Sequence, residues 1–508
     1  MRASMRKMST GRAPPLTKIV ATIGPASEQL PMLSQVVAAG MRVMRINFSH
    51  ATYEEADLRA TNIKLCPGMS MLHRGTGSNL RAVMLDTQGP EIRTGSFAGG
   101  VKEVELKTGQ KITLTTDKAF QNNQSVDRIW ISYDRIHENA SKNTVILLDD
   151  GAVEVVVEKT DGLGGQNLYC RVNNSGTLGN KKGVNMPGSK VLLPAISDKD
   201  KQDLIWGVKN DVDFIAASFV RKASDIFEIR EFLAEVIKKE RPGSAMPKII
   251  SKIESTEALE NFQSILDASD AIMVARGDLG VEIPMQTLCN VQKDIVRQSN
   301  LAGKPVVVAT QMLESMQKNP RPTRAECTDV ANAVFDGADC VMLSGESAKG
   351  KYPVAAVSMM NSICVEAESS LAENDVSVRA MSDGTALDAT ASAVAEAVAS
   401  LEGVSAIVVL ANGTAVPAAL AKFRPNVPIV TFVPDAKTGR FLQLHRGVHP
   451  VLATQDMFEE DADPLSVAVE HAMILKFVKT GDKVVLVSPV QGNDRISSSI
   501  TFRIVEVL

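Results

Sequence analysis

The segment KIISKIE, residues 248–254, is an apolar run of strand length that closes on charged side chains. Seven further segments are likewise rich in Val, Ile, Met or Ala and end in a polar or charged group. In chain order the eight segments are 18–24, 41–47, 82–88, 213–220, 248–254, 271–278, 305–311 and 340–346. Amphipathic helical patterns separate most of them, which is typical of buried parallel strands that alternate with helices. Eight such units predict a closed α/β barrel of the (β/α)8 type.

Functional side chains follow the strands of this predicted TIM barrel. In such barrels the active site lies at the carboxyl ends of the strands. Here those ends carry Arg45, Asn47, Asp86, Lys252, Glu254, Asp278, Thr310 and Glu346. We therefore expect these side chains to meet in one site.

Two stretches of the chain do not follow the barrel pattern. Residues 89–190 contain short alternating strands broken by turns such as Asp149-Asp150-Gly151, which predicts an inserted all-β domain. Hosted by one loop of the barrel, this domain overhangs the active-site face and can act as a lid. The barrel is predicted to occupy 16–88 and 191–374, after a tail at 1–15. Residues 375–508 predict a third domain with an open α/β sheet.

Composition excludes several classes of protein. A net charge of -4 gives no general attraction for nucleic acid or for an anionic membrane surface. No apolar run reaches the length of a membrane span. The six Cys form no CxxC pair, which favours reduced thiols in a reducing compartment over disulfides or zinc. We expect a cytoplasmic protein; the basic tail Met1–Pro15 leaves a short organellar transit peptide as the alternative.

Lys252 and Glu254 share one face of their strand, because residues two apart point the same way. Asp278 is expected to close the next strand. Two carboxylates beside a lysine suit a hard divalent cation and an anionic substrate, since Mg²⁺ takes one or two carboxylates plus substrate oxygens. The alternative is an internal salt bridge from Lys252 to Glu254 or Asp278 without a metal. We favour the metal, because charges at the ends of buried strands are costly without a function.

A second polar cluster is predicted at the ends of the second and third strands. Arg45, Asn47 and Ser49 share one parity there, and Asp86 ends the third strand. Arginine suits a phosphate or a carboxylate, and the neutral oxygens suit a monovalent cation. A polar network without an ion is an equally good interpretation. Two weaker signals are an anion site at the helix that we expect after Gly277–Gly280, and Lys182 on the lid, which could reach phosphates.

As a set, these motifs resemble those of the pyruvate kinase family. They are KIVATIGP at 18–25, RINFSH at 45–50, DTQGPEIR at 86–93, KIE at 252–254, RGDLG at 276–280, ATQMLESM at 309–316 and LSGE at 343–346. The resemblance extends from about Leu16 to the C-terminus and is weaker over the last domain. It implies transfer of a phosphoryl group from phosphoenolpyruvate to ADP, which gives pyruvate and ATP.

The resemblance also implies roles for the substrate and metal residues. Arg45 would hold the phosphate of phosphoenolpyruvate, and Lys252 would stabilise the phosphoryl group during transfer. Glu254 and Asp278 would bind Mg²⁺, or Mn²⁺ in its place. The site for the substrate carboxylate would be lined by Gly277, Asp278 and Thr310.

Three further groups of residues carry implied roles. A K⁺ ion would be held by Asn47, Ser49, Asp86 and Thr87. The nucleotide site would include Asn47, Phe48, Ser49, His50, Arg93 and Lys182, of which His50, Arg93 and Lys182 would face the phosphates and a second Mg²⁺. The region that delivers a proton to the enolate would include Thr310, Ser344 and Glu346. The resemblance implies a homotetramer as the assembly.

The chain departs from the family pattern at two places. Gln88 stands where the family often has lysine. The loop LANGTA at 410–415 replaces a hydroxyl- and lysine-rich phosphate loop of members activated by sugar bisphosphates, and only Thr414 keeps a hydroxyl. The loop at 491–499 offers Arg495 as its cation. Binding of a bisphosphate effector is therefore in doubt.

Two competing functions were weighed. One is another Mg²⁺-dependent barrel acting on pyruvate or phosphoenolpyruvate, such as a carbon–carbon lyase, which would need neither Lys182 nor the K⁺ cluster. The other is a catalytically inactive metabolite sensor, which loss of Lys252, Glu254 or Asp278 would mark. All three residues are present, so phosphoryl transfer is the preferred interpretation.

Overall fold

The computed structural model describes residues 14–68, 79–162, 164–374, 385–454, 457, 463–489 and 500–508. Most of the predicted tail, at 1–13, lies outside the described residues, and so does the stretch 375–384. The loop 491–499 with Arg495, proposed above to bear on effector binding, also lies outside them.

The first part of the barrel provides three parallel strands and two helices. The strands are β1 (Lys18–Thr22), β2 (Met41–Asn47) and β3 (Ala82–Asp86). The helices are α1 (Leu30–Ala39) and α2 (Tyr53–Leu65). Helix α2 begins with a capping box, in which Thr52 accepts the backbone N–H of Glu55 and Glu55 accepts that of Thr52. Each of the first and third predicted runs continues two residues beyond its strand, into the turn that follows it.

The lid follows β3 and is built almost entirely of strands. They are β4 (Glu103–Leu106), β5 (Lys111–Thr115), β6 (Arg128–Trp130), β7 (Val145–Leu148), β8 (Val153–Thr160), β9 (Asn167–Val172), β10 (Gly176–Gly179) and β11 (Val184–Asn185). One short helix, α3 (Ile136–Asn139), lies between β6 and β7. The six-stranded sheet has the order β11-β7-β8-β9-β5-β6, and β10 pairs with β4 in a second sheet.

The lid is thus the predicted all-β insertion, with two differences. Strands β10 and β11 were not predicted, because one has glycine at both ends and the other has only two residues. The pairing of β5 with β6 is parallel, although the other pairs of this sheet are antiparallel. The predicted boundaries at 88 and 190 stay predictions.

The chain then returns to the barrel and completes it with five strands. They are β12 (Phe214–Ala217), β13 (Lys248–Ile253), β14 (Ala271–Ala275), β15 (Val306–Ala309) and β16 (Cys340–Leu343). The accompanying helices are α4 (Asp198–Lys209), α5 (Ala223–Glu240), α6 (Thr256–Glu260), α7 (Phe262–Ala268), α8 (Arg276–Glu282), α9 (Leu288–Leu301), α10 (Arg324–Asp336), α11 (Gly345–Ala348) and α12 (Pro353–Asn374).

The eight strands close into a barrel in the order β1-β16-β15-β14-β13-β12-β3-β2, and every neighbouring pair is parallel. The fold class predicted from the sequence is therefore confirmed. Side chains such as Val20, Met84, Ile250 and Met273 fill the interior, whereas the alternate residues pack against the helices outside. The carboxyl ends of all eight strands consequently lie at one face of the barrel.

The C-terminal domain contains helix α13 (Ala386–Ser400), strand β17 (Val404–Leu410), helix α14 (Ala415–Lys422), strand β18 (Ile429–Val433), helix α15 (Ala436–Phe441), strand β19 (Val448–Leu452), helix α16 (Pro464–Ile474), and strands β20 (Lys483–Pro489) and β21 (Ile500–Glu506). The sheet has the order β19-β18-β17-β20-β21, and only β21 is antiparallel to its neighbour. Phe441 and Leu444 pack into the interior of the barrel and help to close its amino-terminal end.

Two further observations concern the whole chain. Among the described helices, none combines the length and the apolar character that a membrane crossing requires. Cys66, Cys170, Cys340 and Cys364 are buried, Cys289 is exposed, and all six cysteines are free thiols. Burial raises the pKa of the Cys170 thiol to about 12, so it stays protonated at neutral pH.

Candidate active site

A cavity of about 420 Å³ lies between the mouth of the barrel and the lid. It brings together most of the site residues predicted from the sequence. Those that line it are Arg45, Asn47, Ser49, His50, Asp86, Arg93, Lys182, Lys252, Glu254, Asp278 and Thr310. Gln88 and Glu91 line it too. Phe48, Thr87, Gly277, Ser344 and Glu346 are not among its lining residues.

At the floor of the cavity, one carboxylate holds two cations. Asp86 Oδ2 accepts Arg45 Nε at 2.6 Å, and Asp86 Oδ1 lies 3.1 Å from Lys252 Nζ. Burial acts to raise the pKa of Asp86, but the charges of Arg45 and Lys252 outweigh it and the net pKa is lowered. Burial acts to lower the pKa of Lys252, yet Asp86 and Glu254 raise it above its usual range. Both partners are therefore charged at neutral pH.

Ser218 is a site residue that sequence reasoning missed. Its Oγ accepts Lys252 Nζ at 2.7 Å and donates to the backbone oxygen of Thr87 at 2.6 Å. Ser218 follows β12, the strand between β3 and β13. It belongs to the apolar segment 213–220, for which the sequence predicts no site residue. The next residue, Phe219, has a φ of +55° and donates its backbone N–H to Glu254 Oε2 at 2.6 Å. A serine at a strand end was too common a signal to single out.

Glu254 and Asp278 form a buried carboxylate pair beside Lys252. Burial raises the pKa of Glu254 to about 7, with Asp278 adding to the rise and Lys252 opposing it. Burial likewise raises the pKa of Asp278. Glu254 Oε1 lies 2.9 Å from Lys252 Nζ but has no aligned hydrogen-bond partner among the described residues. The predicted salt bridge from Lys252 to Glu254 thus exists, although its geometry is not that of a well-aligned hydrogen bond.

This donor set fits a divalent cation. Two buried carboxylates whose charged forms are destabilised by burial and by each other gain most from a nearby cation. Among the described residues no group of three or more His, Cys, Asp or Glu side chains is arranged for a metal. Two carboxylates that share the site with substrate oxygens are a sufficient protein contribution for Mg²⁺. Mg²⁺ commonly binds in that way.

The position of Asp278 corrects the sequence prediction. Strand β14 ends at Ala275, and Asp278 lies in the first turn of α8 instead of closing the strand. Gly277–Gly280 lie inside α8, which has only seven residues, and the longer helix α9 follows them as predicted. The anion site expected at the start of that following helix stays a prediction, whereas Asp278 itself is carried by α8. The helix still directs Asp278 into the cavity.

Thr310 is held in a constrained loop after β15. Its φ is +70° and that of Gln311 is +54°, a region that L-residues rarely adopt. The Oγ1 atom of Thr310 accepts the backbone N–H of Gly277 at 2.7 Å and donates to the carbonyl of Ala309 at 2.6 Å. Gly277 and Thr310, both predicted for the carboxylate site, are thus in direct contact. The Thr310 hydroxyl connects α8 to the end of β15.

Arg276 fixes this loop and was quoted in a motif without a role. Its NH1 and NH2 atoms donate to the two carboxylate oxygens of Asp329 at 2.7 and 2.8 Å. NH2 also donates to the carbonyl of Thr310 at 2.7 Å, and Nε donates to that of Ala309 at 3.0 Å. A bidentate arginine of this kind holds a defined geometry. Arg276 therefore supports Thr310 from behind the cavity.

The segment after β2 lies beside the segment after β3. Asn47 pairs with Asp86 in the parallel register of the two strands. Asn47 Oδ1 accepts the backbone N–H of Ser49 at 3.0 Å, and Thr87 Oγ1 accepts that of Ser218 at 3.1 Å. The polar network that the sequence left open is thus present. The network also contains neutral oxygens and one carboxylate, which are ligands that suit a monovalent cation.

Phe48 does not reach the cavity with its side chain. The ring is buried and packs against Trp206, with ring centroids 5.0 Å apart. The place of Phe48 in the nucleotide site therefore stays a prediction. What Phe48 supplies near the site is its backbone, whose N–H donates to the carbonyl of Asp86 at 3.0 Å.

Basic groups of the lid and the barrel face each other across the cavity. Lys182 Nζ lies 3.0 Å from Asp149 Oδ1, and Arg93 forms an ion pair with Glu91. Arg93 NH1 donates to the carbonyl of Lys181 at 2.9 Å. Burial, followed by nearby cations, lowers the pKa of His50, so it is neutral at pH 7. These groups leave the lid side of the cavity suited to an anion.

Ser344 and Glu346 are close in space but lie away from the cavity. Glu346 is fully buried, and its two oxygens accept the backbone N–H groups of Ser344 at 2.7 Å and Leu313 at 3.1 Å. These contacts fix the ends of β15 and β16 relative to each other. The structure does not bring the pair together with Thr310 at the cavity, so their predicted part in proton delivery stays a prediction.

The lid contacts the barrel beside the carboxylate pair. Asn185 Nδ2 donates to Glu282 Oε1 at 3.1 Å, and Glu282 is the last residue of α8. The chain that leaves the lid is held by Arg221, whose guanidinium donates to the carbonyls of Val191 at 2.7 Å and Leu193 at 2.5 Å. The lid is therefore tied both to the helix that carries Asp278 and to the barrel end of β12.

Comparison with known proteins gives a consistent result. The family model described as pyruvate kinase, barrel domain, matches residues 15–357. The model described as pyruvate kinase, alpha/beta domain, matches residues 388–500. Together they cover the barrel, the lid and most of the C-terminal domain.

Curated relatives match over nearly the whole chain. A cytosolic isozyme of pyruvate kinase from Nicotiana tabacum is 44% identical over 493 residues, covering 93% of both chains. A pyruvate kinase from Geobacillus stearothermophilus is 43% identical, covering 95% of this chain and 79% of the relative. The human pyruvate kinase PKLR is 40% identical, covering 93% and 82%. The alternative of a lyase gains no support from these matches, and the chain belongs to the pyruvate kinase family.

Proposed function

We propose that this protein transfers the phosphoryl group of phosphoenolpyruvate to ADP and so forms pyruvate and ATP. The observation that carries the proposal is the convergence of Arg45, Lys252 and the Glu254–Asp278 pair on one cavity, which Lys182 faces from the lid. Phosphoryl transfer needs little covalent work from a protein; it needs positioned groups and cations around the oxygens that carry the charge. Family membership supports the same activity.

Arg45 and Lys252 bind the transferring group. Arg45 is almost buried and is held at 2.6 Å by Asp86, so its remaining guanidinium N–H groups keep a fixed direction. Lys252 Nζ is charged and is oriented by Asp86 and Ser218. Preorganised cations of this kind stabilise the transition state without a cost of reorientation at the moment of reaction.

Glu254 and Asp278 would hold the divalent cation, Mg²⁺ or Mn²⁺. When bound there, such an ion supplies Lewis-acid polarisation and charge neutralisation at substrate oxygens. The support for this assignment is that both carboxyl groups line one cavity and that burial raises the pKa of each. Thr310 and the backbone of Gly277 lie beside the pair and would line the space for the substrate carboxylate.

A monovalent cation, K⁺, is proposed beside Arg45. The residues that would hold it are Asn47, Ser49, Asp86 and Thr87. Support comes from the adjacency of the two strand ends and from the chemistry of their oxygens. Asp86 would then serve three cations at once, which suits its lowered pKa.

The nucleotide is proposed to enter between the lid and the barrel. Arg93, Lys182 and His50 would face its phosphates and a second Mg²⁺, with Asn47 and Ser49 beside them. Closure of the lid would exclude water, which otherwise hydrolyses the phosphoryl group. Proton delivery to the enolate would involve Thr310 directly, whereas Ser344 and Glu346 would act only through the backbone positions that they fix.

Assembly and location are proposals of the same kind. The family resemblance supports a homotetramer, and light scattering on the purified protein tests it. A cytoplasmic location is supported by the printed name of the tobacco relative, a cytosolic isozyme.

The activity itself is tested by a coupled assay of ATP formation from phosphoenolpyruvate and ADP. Mg²⁺ and K⁺ are each omitted in turn, with Mn²⁺ as a replacement for the first. ATP formation that requires both substrates supports the proposal. Consumption of phosphoenolpyruvate without ATP, or no reaction at all, contradicts it.

A further inference from the structure

One turn of helix α4 contacts both chain segments that form the proposed monovalent cation site. Lys199 Nζ donates to the carbonyl of Phe48 at 2.8 Å, and Phe48 lies between Asn47 and Ser49. The next residue of the helix, Asp200, accepts the backbone N–H of Gly89 at 3.0 Å through its Oδ1 atom. Gly89 follows the segment Asp86–Gln88. Two consecutive helical residues thus fasten the end of β2 and the end of β3.

Both side chains are themselves held in place. Lys199 Nζ lies 2.7 Å from Asp203 Oδ2, one helical turn further on, and Tyr53 donates its hydroxyl to Asp203 Oδ1 at 2.9 Å. The Asp203 side chain is only 1% exposed. Asp200 Oδ2 accepts the backbone N–H of Ser197 at 2.9 Å and its hydroxyl at 2.6 Å. The contacts to the two segments therefore start from a rigid helix end.

The two side chains differ in burial. Asp200 is buried, whereas the Lys199 side chain is 45% exposed and its Nζ lies 5.8 Å from the centroid of the Phe48 ring, which also packs against Trp206. Lys199 donates to the carbonyl of Phe48, between the two inferred ion ligands Asn47 and Ser49. Loss of this hydrogen bond should therefore shift the backbone at Phe48 more than it disturbs the packing of the core. Contacts of this outer kind commonly set the affinity of an ion site, because they orient its ligands.

We propose that Lys199 and Asp200 are positioning residues that set the geometry of the monovalent cation site by holding Phe48 and Gly89. The inference rests on the proposed function and adds to it a named source of K⁺ affinity. It also connects the site to the lid, since α4 is the first helix after the chain leaves the lid at 191–197.

Trp206 provides a readout that does not depend on turnover. It lies on α4, its ring packs on Phe48, and the chain has only one other tryptophan, Trp130 in the lid. In a Trp130→Phe background, emission from Trp206 is recorded while K⁺ replaces tetramethylammonium at constant ionic strength. The K⁺ dependence of ATP formation is measured on the same proteins.

Three variants of one helix are compared. Lys199→Met removes the donor, Lys199→Arg keeps a cation, and Lys201→Met is the matched control. Lys201 is 42% exposed and pairs with Asp198 on the same helix, away from Phe48. We expect Lys199→Met to raise the half-saturating K⁺ concentration about tenfold in both readouts, the lower end for loss of a contact that orients an ion ligand. Lys199→Arg should recover part of the affinity, and Lys201→Met should match the parent.

The outcomes separate this inference from the proposed function. Equal K⁺ midpoints for Lys199→Met and Lys201→Met overturn the inference, and so does a loss of turnover at saturating K⁺ with an unchanged midpoint. A parent protein that forms ATP but shows no K⁺ response in either readout also overturns it, while the proposed activity stands. A parent protein that shows the fluorescence response but forms no ATP contradicts the proposed function and leaves the cation site in place.

Discussion

Lys252 Nζ lies 3.1 Å from Asp86 Oδ1, although the two residues belong to β13 and β3, with β12 between them in the barrel. The other oxygen of Asp86 holds Arg45 at 2.6 Å. Without this carboxylate, two buried cations would face each other across the cavity floor and repel each other. Asp86 therefore offsets this repulsion and fixes both side chains before any substrate arrives.

Replacing Lys252 with Met should reduce turnover by about a hundred- to a thousand-fold, since it removes a preorganised charge that faces the transferring phosphate. Binding of substrate and metal should fall much less, because Glu254 and Asp278 remain. Steady-state kinetics and a Mg²⁺ titration followed by thermal denaturation measure the two effects. Lys248→Met is the control, because Lys248 lies at the opposite end of the same strand and pairs with Asp270. Turnover of Lys252→Met within a few-fold of the parent would remove Lys252 from the proposed role.

Metal binding should depend on pH through Glu254. The folded-state pKa of about 7 lies above its ordinary value of 4.5, so without metal the folded protein keeps a proton that the unfolded chain has lost. The stability that this proton contributes is present at low pH and is lost as the pH rises through about 7. Mg²⁺ needs the deprotonated carboxylate, so its affinity should fall as the pH drops below that value.

The measurement is the Mg²⁺-induced increase in Tm at pH 6 and at pH 8, at one Mg²⁺ concentration. We expect the larger increase at pH 8. Glu254→Gln should show a smaller increase that depends less on pH, because the amide does not titrate and only Asp278 remains to do so. An equal increase in the parent protein at pH 6 and pH 8 would contradict the assignment of Glu254.

Activity should require K⁺. The family resemblance implies that an acid at the position of Glu91 accompanies a K⁺ requirement, and that a lysine there would supply the positive charge instead. Glu91 lines the cavity and pairs with Arg93. ATP formation should collapse when tetramethylammonium replaces K⁺, and Glu91→Lys should restore part of it. Full activity of the parent protein without a monovalent metal ion would refute the prediction.

The strands could be predicted from the sequence because a parallel barrel strand is buried on both faces and so appears as a continuous apolar run. Strand β2 has the predicted bounds, and β13 differs from its run by one residue. Lys252 and Glu254 were placed correctly in one cavity for the same reason, since the alternation of a strand fixes which residues share a face.

The periodicity argument failed where the chain leaves a strand. Asp278 lies on α8 and so does not continue the alternation of β14, whereas Phe48 does continue that of β2 and packs outside the barrel with Met44 and Ile46. The contacts of Asp86 with Lys252 and of Ser218 with Lys252 join strands distant in sequence, so no local pattern reports them. Glu346 is an acid at a strand end and so resembles a site residue in the sequence. Its hydrogen bonds to two backbone N–H groups become visible only in the structure.

The contact between Asn185 and Glu282 should hold the lid over α8. Asn185→Ala removes the donor at 3.1 Å and should raise the KM for ADP several-fold, about the effect of one hydrogen bond of roughly 1 kcal/mol. Turnover at saturating ADP should change little, because the Lys252 cluster is untouched. Glu282→Gln keeps an acceptor for Asn185 and should behave like the parent, which separates the hydrogen bond from the charge. An unchanged KM for ADP in Asn185→Ala would show that this contact does not hold the lid.

Fructose 1,6-bisphosphate should not switch this enzyme. Two phosphates need several charge-assisted hydrogen bonds, yet the loop Leu410–Ala415 offers Thr414 as its only hydroxyl and no cation. Lys422, at the end of α14, is held by Asp388. A tenfold shift between an inactive and an active form needs about 1.4 kcal/mol of preferential binding, which this loop is poorly equipped to supply. Substrate saturation with and without saturating fructose 1,6-bisphosphate tests the point. A several-fold drop in the half-saturating concentration of phosphoenolpyruvate would prove the prediction wrong, whereas a smaller effector with one phosphate could still use Thr414 and the backbone of the loop.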